Sequence, residues 1–96
     1  MRIQVVTCDS LYDKNGKYVD GSHEIHEIDN LKHIDHIKAT LNSIIVNHLL
    51  YMEEDMVLDM IIISGNETET IDTLIEYCKE YHVGVEIASA ETAMYL

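Results

Sequence analysis

Four of the six histidines of this 96-residue chain fall within fourteen residues, in the run HEIHEIDNLKHIDH. His23 and His26 form one H-x-x-H pair, and His33 and His36 form another. On a helix, residues three apart share a face, so His33 and His36 are the pair able to chelate one ion. Neutral imidazoles beside Glu24 and Glu27 suit zinc or nickel. In an extended segment His23 and His26 would instead point to opposite faces, which opposes joint ligation. The plainer alternative is a solvated, histidine-rich polar face.

A second chemistry needs carboxylates that converge on divalent ions at strand ends. Asp9 closes an apolar N-terminal segment, whereas Ser64-Gly65-Asn66, at the end of the most apolar segment, carries no acid. Asp59 lies toward the other end of that segment. Asp9 is therefore expected to cap a turn. His48 sits in an apolar helical row and is expected as a core or interface histidine, with Cys8 as its conceivable nucleophilic partner. Cys8 and Cys78 lack C-x-x-C spacing and basic neighbours, and read as reduced thiols.

The third feature is charge. Asp and Glu number 18 against 6 Lys and Arg, a net charge of −12. After residue 56 the acids are Asp59, Glu67, Glu69, Asp72, Glu76, Glu80, Glu86 and Glu91, against the single base Lys79. Such a field repels nucleic acid and anionic lipid and attracts basic protein surfaces. Glu69, Asp72, Glu76 and Glu80 recur at steps of three and four, a stripe down one helix face with neighbours about 5–6 Å apart. That spacing is close to that of phosphates along one nucleic-acid strand. The stripe is the candidate partner-binding surface of a nucleic-acid mimic, against the alternative of a solvated helix face. The segment SGNETET has one glycine, no lysine and two acids, which disfavours phosphate binding.

These residues need elements to position them. The length suits one α/β domain over residues 1–96, and 47% hydrophobic content is ordinary for a globular chain. Residues 1–9 read as a strand apolar on both faces. Asn15-Gly16 predicts a tight hairpin turn with positive φ at both centres, and Asp20-Gly21-Ser22 a second turn into a third, edge-like strand. Ile34, Ile37, Leu41, Ile44, Ile45, His48 and Met52 predict a long helix from Leu31 to about Met52, N-capped by Asp29 or Asn30. Residues 56–64 predict a central strand. A helix from about Glu67 to Tyr81, with Asn66 as N-cap and Glu69 completing a capping box, buries Ile71, Leu74, Ile75 and Cys78. Gly84 ends it before VEIAS, the final strand.

The expected fold is a mixed sheet with an N-terminal hairpin followed by α-β-α-β, helices on both faces and the last two strands parallel. In that order of elements the chain resembles the ribonuclease-H-like arrangement, without any sequence motif of it. The N-terminus lacks a signal-type apolar run, and a cytoplasmic location is expected. The leading functional expectation is a small acidic binding protein, not an enzyme and without a cofactor. It would engage and inhibit a basic nucleic-acid-binding protein, as a virus- or mobile-element-encoded anti-defence protein does. The alternatives are a small metal-dependent enzyme using Asp9 or the His23/His26/His33/His36 cluster, and a homodimer or assembly subunit paired through the 31–52 helix.

Overall fold

The computed structural model describes residues 2–29 and 33–90. The elements are β1 (Arg2–Tyr12), β2 (Tyr18–Asp29), α1 (Ile34–Tyr51), β3 (Met56–Ser64), α2 (Thr68–Tyr81) and β4 (Glu86–Ala90). They form an α/β fold with one four-stranded mixed sheet in the order β2-β1-β3-β4. β1 is antiparallel to both β2 and β3, and β3 is parallel to β4. The two flanks of β1 are therefore parallel to each other, and α1 carries the chain across β1 from β2 to β3.

Residues 18–29 form one continuous strand, so the expected second turn at Asp20-Gly21-Ser22 does not form. Gly21 pairs with Ser10 inside the ladder. A Cβ there would lie 2.5 Å from the Tyr18 hydroxyl, so glycine makes room for that ring within the strand. The hairpin connection also differs from the expected two-residue turn. Gly16 alone has positive φ, at 79°. Its N–H donates to the Asp13 carbonyl, and the Asp13 carboxylate accepts from the backbone N–H of Asn15 and of Lys17. This is a turn followed by a glycine in the left-handed region, the three-residue hairpin solution.

The start of α1 is a further correction. Its N-cap is His33, whose Nδ1 accepts from the Asp35 N–H at 3.2 Å. Asn30 lies outside the described residues, and Asp29 ends β2. The N-cap of α2 is Glu67, not Asn66, and makes no side-chain capping bond to the backbone. Thr70 donates to its carboxylate instead.

Register explains the core. Residues opposite one another in an antiparallel ladder share a face. Ile3, Val5, Thr7 and Asp9 lie opposite Ile28, His26, Glu24 and Ser22 on one side of β1, and beyond Ser64 the residues Ile63, Ile61 and Leu58 join Val5, Thr7 and Asp9 on the other. Ile3, Val5, Ile28, Leu58, Ile61 and Ile63 make a single core cluster with Ile37, Leu41 and Ile45 of α1 and Ile71, Leu74, Ile75 and Cys78 of α2. Both helices therefore cover the same face, which corrects the expected arrangement with helices above and below. The cause is the direction of the two crossovers. β2 to β3 and β3 to β4 both step the same way across the sheet, and crossovers of one hand then place both helices on one side. On the other face Val6 and Ile62 are buried beside Gln4 and Ser64. The side-chain polar atoms of that Gln4 and Ser64 have no hydrogen-bond partner among the described residues.

Candidate functional site

The helix-covered face ends in a polar cluster. α1 buries one side at Ile37, Leu41, Ile45 and His48, a row of steps of four, four and three. The first three positions meet apolar strand residues. The fourth lies over the stretch where β1 has changed from Ile3 and Val5 to Thr7 and Asp9. A polar residue is needed there, because buried polar groups must be paired. His48 and Asp9 are each 8% exposed. His48 Nε2 lies 2.8 and 2.9 Å from the two Asp9 carboxylate oxygens. Only a protonated Nε2 satisfies that contact, so Nε2–H donates to Asp9. His48 Nδ1 then faces Thr7 Oγ1 and Glu24 Oε2, each at 3.4 Å. Glu24 Oε2 is in turn 3.6 Å from His26 Nε2.

The cleft at this point has a volume of about 420 Å3 and is lined by Asp9, Glu24, His26 and His48 with Asn47 and Glu53 among its walls. Glu24 is exposed and gives the cleft its mouth, while His26 is half-buried. His26 Nε2 is a buried atom with no hydrogen-bond partner among the described residues. Asp9 is thus not a turn cap but the buried partner of His48. Because β1 and β3 are antiparallel, it lies opposite Leu58 near the start of β3, not beside Ser64. Asp59 accepts a hydrogen bond from the Tyr12 hydroxyl at 3.0 Å.

The histidine pairs of the sequence separate. His23 pairs with Cys8 and His26 with Val5, on opposite faces of β2. His33 precedes the helix as its cap, so of the expected i,i+3 pair His36 alone lies within α1. Both rings are exposed at that end of α1. Sequence reasoning placed His48 on the buried face and put Glu24 and His26 in the histidine-rich segment, but it missed the joining of both to His48. These residues are 22 and 24 positions apart, and only the hairpin register with α1 laid over it brings them together. The alternation of Glu24 with His26 along β2 was the available signal.

Cys8 lies on the sheet face opposite Thr7 and Asp9, so no Cys8–His48 pair forms. Burial first, then the Asp9 and Asp59 charges, raises the Cys8 thiol pKa. Burial pushes the Cys78 thiol up to about 11. Burial also lowers His82, the C-cap of α2.

The acidic stripe is a second surface, away from this cleft. At about 100° per residue, Glu69, Asp72, Glu76 and Glu80 fall within about 80° of helix circumference. The buried Ile71, Leu74, Ile75 and Cys78 occupy the opposite side. All four acids are exposed. Glu76 has a contact with Lys79 at 4.0 Å, at the limit of an ion pair. Asp72, Glu76 and Glu80 border a shallow groove of about 710 Å3 that also includes Tyr77 and Lys38. The Lys38 ammonium lies 5.7 Å from the centre of the Tyr77 ring. No described helix is long and apolar enough to cross a membrane. Compared with known proteins, the chain matches no family model, no curated protein and no solved structure.

Proposed function

We propose that the protein is a non-enzymatic binding protein whose α2 acidic face engages a cationic surface of another protein inside the cell. The single observation that supports this is the alignment of Glu69, Asp72, Glu76 and Glu80 on one exposed strip of a helix whose other side is locked into the core. A fixed row of carboxylates presents charge without the entropy cost of ordering a loop on binding. Successive acids about 5–6 Å apart match the pitch at which a nucleic-acid-binding groove places its cations. The proposed partner is therefore a basic nucleic-acid-binding protein, and the proposed effect is competitive inhibition of the kind used by virus- or mobile-element-encoded anti-defence proteins. Lys38 over Tyr77 supports the chemistry, since a cation is accommodated at the edge of this groove.

The test is affinity capture from the native host with the wild-type chain and with a Glu76→Lys/Glu80→Lys variant. Both positions are solvent-exposed, so the variant is expected to keep the fold. A captured basic protein whose binding weakens with added salt, and weakens again in the variant, supports the proposal. Equal affinity of wild type and variant overturns it. A second reading, self-association through α1, is favoured by Val46, Leu49, Leu50 and Tyr51, which are 47%, 45%, 69% and 82% exposed on that helix. Sedimentation across a range of concentrations tests it, and a monomer at every concentration ends it.

A further inference from the structure

We propose that Glu24, His26 and His48 are the ligands of a divalent transition-metal site, with Asp9 as the residue that positions His48. This site is separate from the α2 face and stands or falls independently of partner binding.

Three donor atoms converge here from two elements: Oε2 of Glu24 and Nε2 of His26 from β2, and Nδ1 of His48 from α1. All three lie within 4.8 Å of one another. The Glu24–His48 and Glu24–His26 separations are 3.4 and 3.6 Å. Tetrahedral ligands about 2.0–2.1 Å from a central zinc ion stand about 3.3–3.4 Å apart. Two edges of the triangle are thus close to the lengths that zinc requires, and the third is within 4.8 Å.

The surroundings choose a metal over a chance contact. A histidine that ligates through one ring nitrogen characteristically donates its other N–H to a carboxylate, which fixes its tautomer and orientation. His48 does this with both oxygens of Asp9, deep in the fold, and its Nδ1 lone pair is left aimed at Glu24 and His26. Without a cation, that lone pair faces a carboxylate oxygen at 3.4 Å, with the Thr7 hydroxyl at the same distance as a donor. His48 also lies in the last turn of α1, where the helix macrodipole favours positive charge. His26 Nε2 adds a buried acceptor without a hydrogen-bond partner among the described residues. A metal ion here would take the position that the Thr7 hydroxyl otherwise shares with Glu24.

Two imidazole nitrogens with one carboxylate select a borderline ion such as Zn2+ or Co2+ over the oxygen-seeking Mg2+ and Ca2+. Three protein ligands leave a fourth position, which opens into the cleft beside Asn47 and Glu53. Exposed Glu24 at the mouth provides the path of entry.

The experiment uses the full chain, purified without a polyhistidine tag and stripped with chelator. Zn2+ is titrated by calorimetry and Co2+ by visible absorption, for wild type and for Glu24→Gln, His26→Ala and His36→Ala. His48→Ala removes a buried group and risks unfolding, so the partly exposed ligands carry the test, with circular dichroism confirming the fold. The expected result is one ion per chain, the intense absorption of four-coordinate Co2+, and an affinity at least about tenfold weaker in the Glu24 and His26 variants. His36→Ala and a Mg2+ titration are expected to behave as wild type and as blank, respectively. Asp9→Asn is expected to weaken affinity about 10- to 100-fold while keeping the Co2+ spectrum, the mark of a positioning residue. No binding of either ion, or binding that survives both ligand variants, overturns the site. Binding that is lost in His36→Ala overturns it equally.

Discussion

Removing the Asp9 carboxylate should cost far more than removing Asp9 and the His48 ring together. The two groups are nearly inaccessible to water, and the ring N–H is 2.8 and 2.9 Å from the carboxylate oxygens. In Asp9→Ala the buried Nε2–H loses its acceptor. Leaving a buried hydrogen-bond donor unsatisfied costs about 1–3 kcal/mol, and the near-complete burial of the pair places this variant at the upper end, at about 3 kcal/mol. For a domain of this size that lowers Tm by about 12–24 °C, at about 4–8 °C per kcal/mol. His48→Leu strands the carboxylate instead and should cost a similar amount. In the double variant the leucine introduced in place of His48 extends the apolar row of Ile37, Leu41 and Ile45. No charge is then left unpaired, and the loss should fall to about 1–2 kcal/mol. The assay is urea unfolding of all four proteins by far-ultraviolet circular dichroism, with chelator present so that no metal contributes. The expected coupling energy is then about 4–5 kcal/mol. Additivity within about 0.5 kcal/mol would refute the claim that Asp9 and His48 stabilise the fold as a unit.

Three further outcomes follow from burial. Leu41→Ala opens a cavity at the centre of the α1 contact, where Leu41 is fully buried, and should lower stability by about 2–5 kcal/mol in the same urea assay. Cys78 is held protonated by the fold, with its thiol raised from 9.0 to about 11. The unfolded chain therefore binds fewer protons above pH 9.0, and stability present below that pH should decline as pH rises toward 11. Cys78→Ala should flatten that decline in a series of urea midpoints, and native protein should react with thiol reagents slowly at neutral pH. His82 shifts in the opposite sense, since burial lowers it from 6.5 and keeps the ring neutral in the fold. Its contribution is present above pH 6.5 and lost as pH falls below it. A histidine NMR titration should place the His82 midpoint below 6.5, and a midpoint at or above that value would refute the claim that burial keeps the ring neutral.

Much of the layout was legible in the chain because periodicity is local. The three- and four-residue recurrence of Ile37, Leu41, Ile45 and His48 marked α1 and its buried side, and MVLDMIIIS marked a central strand. The apolar Ile71, Leu74, Ile75 and Cys78 fixed which side of α2 faces inward, and hence that its four acids face out. Those conclusions need only about 3.6 residues per turn and the free energy of burying apolar surface. Helix caps and turns were less legible. Asp29, Asn30 and Asn66 are good capping residues, but where a chain enters its helix is set by the packing of the whole element, and His33 and Glu67 took those places.

Pairing between distant segments was decided by tertiary structure alone. Whether β3 runs with or against β1 cannot be read from the residues of either strand, because both orientations bury the same side chains. The antiparallel choice made both crossovers step in one direction, put both helices on one face, and set Asp9 beside the start of β3. The same register turned His26 and Glu24 toward α1 and sent His23 to the other side. By itself the sequence determined an acidic helix face and a histidine buried on another helix. The fold determined which carboxylates that histidine meets, because a side chain's partners across a sheet depend on strand direction and register, which no local pattern encodes.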